Sequence, residues 1–112
     1  MPPQKSVQEA EAKEMFPGVV RKTLAYNSDV MLCHFKFDKG GKIPLHNHVP
    51  SQIGYVVSGR VRFIGATEAD GFEAKAGDSY VIDPSVQHGG EALEPSELIE
   101  VFSPSREEYR DF

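Results

Sequence analysis

The chain has 112 residues, one cysteine and a formal charge of −5, from 17 acidic and 12 basic side chains. That length suits one domain with one core. The acidic balance, with no run of Lys or Arg, argues against nucleic acid or an anionic membrane as the main partner. A lone Cys33 cannot form an internal disulfide and fits a reducing compartment.

Residues 1–16 are polar, with Glu9, Glu11 and Glu14 and no apolar stretch of signal-peptide type, and are expected to form a flexible arm or one short helix. No segment is long and apolar enough to span a bilayer, so a soluble, cytoplasmic protein is expected. Pro17-Gly18 punctuates the end of the arm, and the domain proper is placed at 17–112. From there the pattern is β: runs at 19–26 and 30–37 flank the turn cluster Asn27-Ser28-Asp29. In the second run Met31, Cys33, Phe35 and Phe37 share one face, opposite Leu32, His34 and Lys36. Asp38-Lys39-Gly40-Gly41 makes a turn. Residues 52–57 and 60–64 form a hairpin about Ser58-Gly59. Gly77-Asp78 opens a strand at 79–82, Asp83-Pro84-Ser85 turns the chain, and 98–102 is the last strand. Residues 103–109 suit a short helix, with Ser103 as cap and Pro104 at its first position. Short strands at regular spacing without a long helix predict an all-β sandwich or barrel.

The chemistry-bearing residues cluster in two places. His46 and His48 lie two apart on an extended segment, so both imidazoles point the same way. His88 and the amide of Gln52 complete a set of three nitrogens and one oxygen, which suits a first-row divalent ion. Taken alone, an H-x-H pair is a weak metal signal. The second cluster is Glu100, Phe102 and Arg106. Pattern alone favours an outward-facing Glu100 and a solvated Arg106; turned inward, Glu100 could move protons and Arg106 could clamp a carboxylate. His34 reads as structural or surface, Cys33 as core, and Gly40, Gly59 and Gly77 as turn residues. Tyr55 and Tyr80 could each line a pocket or a dimer face.

The spacing Gly40-x5-His46-x-His48-x3-Gln52-x6-Gly59, followed by Gly77-Asp78 and Asp83-Pro84-Ser85-Val86-Gln87-His88, resembles the paired motifs of the cupin superfamily across roughly residues 30–102. Gln52 stands where the first motif usually has Glu, Asp83 where the second often has Pro, and Ala92 where it often ends in Asn. Three neutral imidazoles and a neutral amide leave the ion near +2, which strengthens its pull on a carboxylate or hydroxyl and disfavours an oxidised iron state.

The segments Leu24-Ala25-Tyr26-Asn27, Pro44-Leu45-His46-Asn47-His48, Ser51-Gln52-Ile53 and 101–107 further resemble the small pectin-degradation cupins of the KdgF type. That resemblance implies a small antiparallel β-barrel or jelly roll and a metal held by His46, His48, Gln52 and His88. The metal would be Ni, Zn, Fe, Mn or Co. The implied activity is conversion of 4,5-unsaturated monouronates, from pectin or alginate, to the linear 4-deoxy-5-keto-uronate. Glu100, Phe102 and Arg106 fall on the family's functional acidic residue, phenylalanine and arginine; the acid is usually Asp. A homodimer is expected from the family, with a sugar acid as the small-molecule partner. A cupin dioxygenase or another sugar isomerase or lyase, and a non-catalytic sugar-binding cupin, are the competing functions.

Overall fold

The computed structural model describes residues 3–111. Ten strands form two antiparallel sheets. In chain order they are β1 (Ala12–Phe16), β2 (Val19–Tyr26), β3 (Met31–Phe37), β4 (Lys42–His46), β5 (Ser51–Ser58), β6 (Arg60–Gly65), β7 (Phe72–Lys75), β8 (Ser79–Ile82), β9 (His88–Ala92) and β10 (Ser96–Ser103). One sheet has the order β1-β2-β3-β10-β5-β8 and the other β4-β9-β6-β7. The two sheets enclose one core, as the expected all-β barrel requires.

Alternation builds that core. Met31, Cys33, Phe35 and Phe37 are all buried, as their shared face predicts, while Leu32, His34 and Lys36 face out. Beside β3, β10 turns Ser96, Leu98, Glu100 and Phe102 inward. Val56 of β5, Val61 and Phe63 of β6, and Tyr80 and Ile82 of β8 close the core from the remaining strands. The outward faces of β5 and β8 leave Ile53, Tyr55, Val57 and Val81 exposed. Gly18, Gly40, Gly59 and Gly77 all take positive φ at turns.

The structure departs from the expectations at both ends. Residues 1–16 are expected to form an arm or helix; residues 1 and 2 lie outside the described residues, but Ala12–Phe16 is strand β1, paired with β2 through the hairpin at Pro17-Gly18. Charged Lys13 and Glu14 disguise it as a polar arm, but it is an edge strand, which tolerates such residues. At the other end, the expected helix over 103–109 shrinks to one 3-10 turn, Glu107–Tyr109, preceded by Arg106 rather than capped by Ser103. Ser103 ends β10 instead, and its hydroxyl donates to the Asp29 carbonyl at 2.8 Å.

Candidate metal and substrate site

The site is built where β4, β5, β9 and β10 converge. His46 ends β4 and pairs in register with His88, which opens β9. Their approach depends on Gly89: a Cβ there would lie 2.6 Å from the Ile43 carbonyl oxygen, so any side chain would push β4 off β9. His48 follows β4 in the loop to β5. The ring centroids of His46, His48 and His88 lie 4.4 to 5.7 Å apart, and one ring nitrogen from each falls within 4.8 Å of the others.

Each imidazole is oriented by its own main chain. The Nδ1 of His46 lies 2.9 Å from the Pro44 carbonyl, that of His48 2.8 Å from the Pro50 carbonyl, and that of His88 2.9 Å from the Val86 carbonyl. A carbonyl only accepts, so each Nδ1 carries the proton and each Nε2 presents a lone pair. The Nε2 of His88 is buried and has no hydrogen-bond partner. Burial pushes the His88 imidazole down to about 4 and, with the Arg106 charge as second cause, lowers that of His48 as well. Both rings therefore stay neutral at neutral pH, the form a metal requires.

Gln52 opens the inward face of β5 and is buried. Its Nε2 donates to Glu100 Oε2, which leaves its Oε1 2.9 Å from His48 Nε2. Two acceptors thus face each other at about the separation of neighbouring ligands that each lie ~2.1 Å from one ion. A buried orphan nitrogen and a pair of opposed lone pairs are what a cation would satisfy. His46, His48, His88 and Gln52 fit a divalent metal on the chemistry of their donor set.

Glu100 faces inward and is only 4 % exposed. This resolves the ambiguity left by the strand pattern. β10 is flanked by β3 and β5, so one face of it must meet the core, and Leu98 and Phe102 choose that face. Burial pushes the Glu100 carboxyl up to about 7 against the opposing pull of the Gln52 amide, the neighbouring Tyr80 hydroxyl and the Arg106 charge. Phe102 is buried beside it, its ring 5.6 Å from that of His48 in an edge-on contact. Arg106 lies just past β10. Its guanidinium carbon is 5.3 Å from the Phe102 centroid and 4.1 Å from that of Tyr109, and its Nε donates to Glu108 at 2.9 Å.

His46, His88, Gln52, Glu100, Phe102 and Arg106 all line one cavity of about 430 Å³, whose remaining wall is largely apolar. That is the volume of a small-molecule site. The structure therefore gathers every predicted site residue into one place. Tyr109 is a site residue that sequence reasoning missed. Tyr109 lines the cavity, and its ring lies 4.2 Å from the Arg21 guanidinium and 4.1 Å from that of Arg106. No local pattern in a polar tail marks it. His34 is outside the site, 2.5 Å from Glu97 on the outer face. Cys33 is fully buried and its thiol is pushed up to about 12 by burial, so it stays protonated and unreactive.

Comparison with known proteins agrees with this architecture. Residues 33–102 match the cupin domain family. The chain is 32% identical over 99 residues to the pectin degradation protein KdgF of Dickeya dadantii, an alignment that covers 87% of this chain and 88% of that one. Among solved structures it is similar to KdgF from Halomonas sp., with a TM-score of 0.83 and 35% identity over 92% of this chain and 94% of that one. It is likewise similar to an RmlC-like cupin from Shewanella frigidimarina, with a TM-score of 0.85 and 31% identity over 96% and 98% of the two chains. Two sheets closed around three converging histidines, matched over most of the chain, make this protein a member of the cupin family.

Proposed function

We propose that the protein is a metal-dependent enzyme that opens 4,5-unsaturated monouronates, derived from pectin or alginate, to the linear 4-deoxy-5-keto-uronate. The observation that carries the reading is the buried Glu100 carboxyl, held by Gln52 in a cavity lined by His46 and His88 and beside the group of three imidazoles that includes His48. The similarity to two KdgF proteins, one of them named for pectin degradation, supports the choice of substrate class.

The substrate is a cyclic enol ether with a hemiacetal. Its conversion is an isomerisation. The anomeric hydroxyl loses its proton, the C1–O5 bond breaks to leave an aldehyde at C1, and C4 gains a proton as C5 becomes a ketone. One proton moves and no electrons are gained or lost overall. A divalent ion held by His46, His48, Gln52 and His88 would supply Lewis acidity and fix the sugar oxygens. Glu100 carries the proton. With its carboxyl near 7, it can both accept from the hydroxyl and donate to C4 at neutral pH. Phe102 supplies an apolar wall for the ring, and Arg106 offsets the uronate charge.

The test is an NMR time course of an unsaturated galacturonate with chelated and metal-reconstituted protein, run without oxygen. The reading expects loss of the ring-form signals faster than in buffer, only in the reconstituted sample. Conversion that stops without oxygen would point to a dioxygenase, and binding without conversion to a sugar-holding cupin.

A further inference from the structure

Gly54 has no turn to make, since it lies in the middle of β5 with ordinary extended backbone. Its role is spatial. In register it is paired with Glu100 of β10 on one side and Tyr80 of β8 on the other, so the three residues form one row across three strands. Glu100 and Tyr80 both turn inward, and the position between them carries no side chain. The Tyr80 ring leans into that gap: a Cβ on Gly54 would lie 2.3 Å from both Cζ and the hydroxyl oxygen of Tyr80. Phe63 and Phe72 pack on the ring, with centroids 4.5 and 6.1 Å away. The hydroxyl is buried with no hydrogen-bond partner, and the acidic group on the far side of Gly54 in the same row is the Glu100 carboxyl. A buried phenol with an acidic neighbour and no other outlet is costly unless it donates there.

We infer that Tyr80 is a positioning residue: through the gap left by Gly54, its hydroxyl donates to Glu100 and, with the Gln52 amide, fixes the direction in which that carboxyl faces the cavity. The catalytic part of this inference rests on the reaction proposed above; the hydrogen bond itself does not. In register Tyr80 faces Gly54, while the ligand Gln52 is paired with Ile82, so the hydroxyl is directed at Glu100.

The test has two arms. In the metal-free protein without substrate, the Tyr80 hydroxyl proton should appear as a slowly exchanging downfield NMR signal, assigned by its absence in Tyr80→Phe and lost in Glu100→Ala. In turnover, Tyr80→Phe should lower kcat about tenfold or more while KM stays within about twofold and metal content is unchanged. Gly54→Ala, which displaces the ring but keeps the hydroxyl, should lower kcat in the same direction. In a Glu100→Gln background, Tyr80→Phe should add nothing further. A Tyr80→Phe protein with wild-type kcat, or a hydroxyl signal indifferent to Glu100→Ala, would overturn the inference. If the wild type converts no unsaturated uronate, the proposed function fails, and the NMR arm decides the Tyr80 contact by itself.

Discussion

Arg21 and Asp111, ninety positions apart in sequence, meet through one guanidinium nitrogen that donates to both carboxylate oxygens, at 2.8 and 2.9 Å. Arg21 is buried, and the pair ties the tail to β2, where the Thr23 hydroxyl also donates to the Tyr109 carbonyl at 2.6 Å. The same Arg21 lies against one ring whose other cationic neighbour is Arg106. The tail thus sets the position of the guanidinium that lines the cavity.

Asp111→Ala should therefore destabilise the protein by about 3 kcal/mol, because it strands a buried charge. Replacing Arg21 by Met in the same background should recover part of the loss. Denaturant midpoints measure both effects. In turnover, the single variant should raise KM more than it lowers kcat, since it loosens Arg106 rather than the proton carrier.

Reconstitution with Ni, Zn, Fe, Mn or Co should raise Tm over the chelated protein. At free metal about 100-fold above Kd the gain is about 2.7 kcal/mol. His88→Ala should abolish both metal uptake, read by elemental analysis, and the Tm response. An unchanged Tm response in that variant would place the ion elsewhere.

Glu100→Gln should lower kcat by at least about 100-fold and leave metal content unchanged. Full activity in the variant would remove Glu100 from the proton-carrying role.

The stability of the metal-free protein should depend on pH through two opposed groups. Glu100 has a folded pKa of about 7, above its ordinary 4.5. Between those values the folded state holds the extra proton, so Glu100 makes stability fall as pH rises. His88 has a folded pKa of about 4, below its ordinary 6.5. Between those values the unfolded state holds the extra proton, so His88 makes stability rise with pH. His48, shifted the same way, adds to His88. Glu100→Gln removes the falling contribution. Urea midpoints from pH 4.5 to 6.5 should therefore climb more steeply in the variant than in the parent. Parallel curves would mean that Glu100 is not held protonated.

The parts of this fold that were legible in the sequence are those where side chains alternate between core and solvent. The run 19–26, the Met31-to-Phe37 face and the run 79–82 all have that character. Among the strands that left no such trace, with β1 and β7, are β4, which carries Pro44 on a sheet edge, and β9, whose Gly89 and Gly90 serve close approach. β4 and β9 hold the metal-site histidines His46 and His88, so the histidine spacing was a better guide to them than any propensity. The direction of Glu100 was not legible from β10 alone, because Leu98 and Phe102 share its face while Ile99 and Val101 make the opposite face equally apolar. The Gly54 gap was hidden for a different reason: it becomes visible only when three strands are laid side by side.

Because Pro44, Pro50 and Val86 anchor the three imidazoles through carbonyls two residues away, the aim of the rings is written into short stretches of backbone. Met15, Phe16 and Ile43, which line the cavity without being fully buried in the core, are consequently the positions where a change of shape should admit different guests while the three rings keep their aim. A library randomised at those three positions should contain members that retain the ion and differ in what they admit beside it.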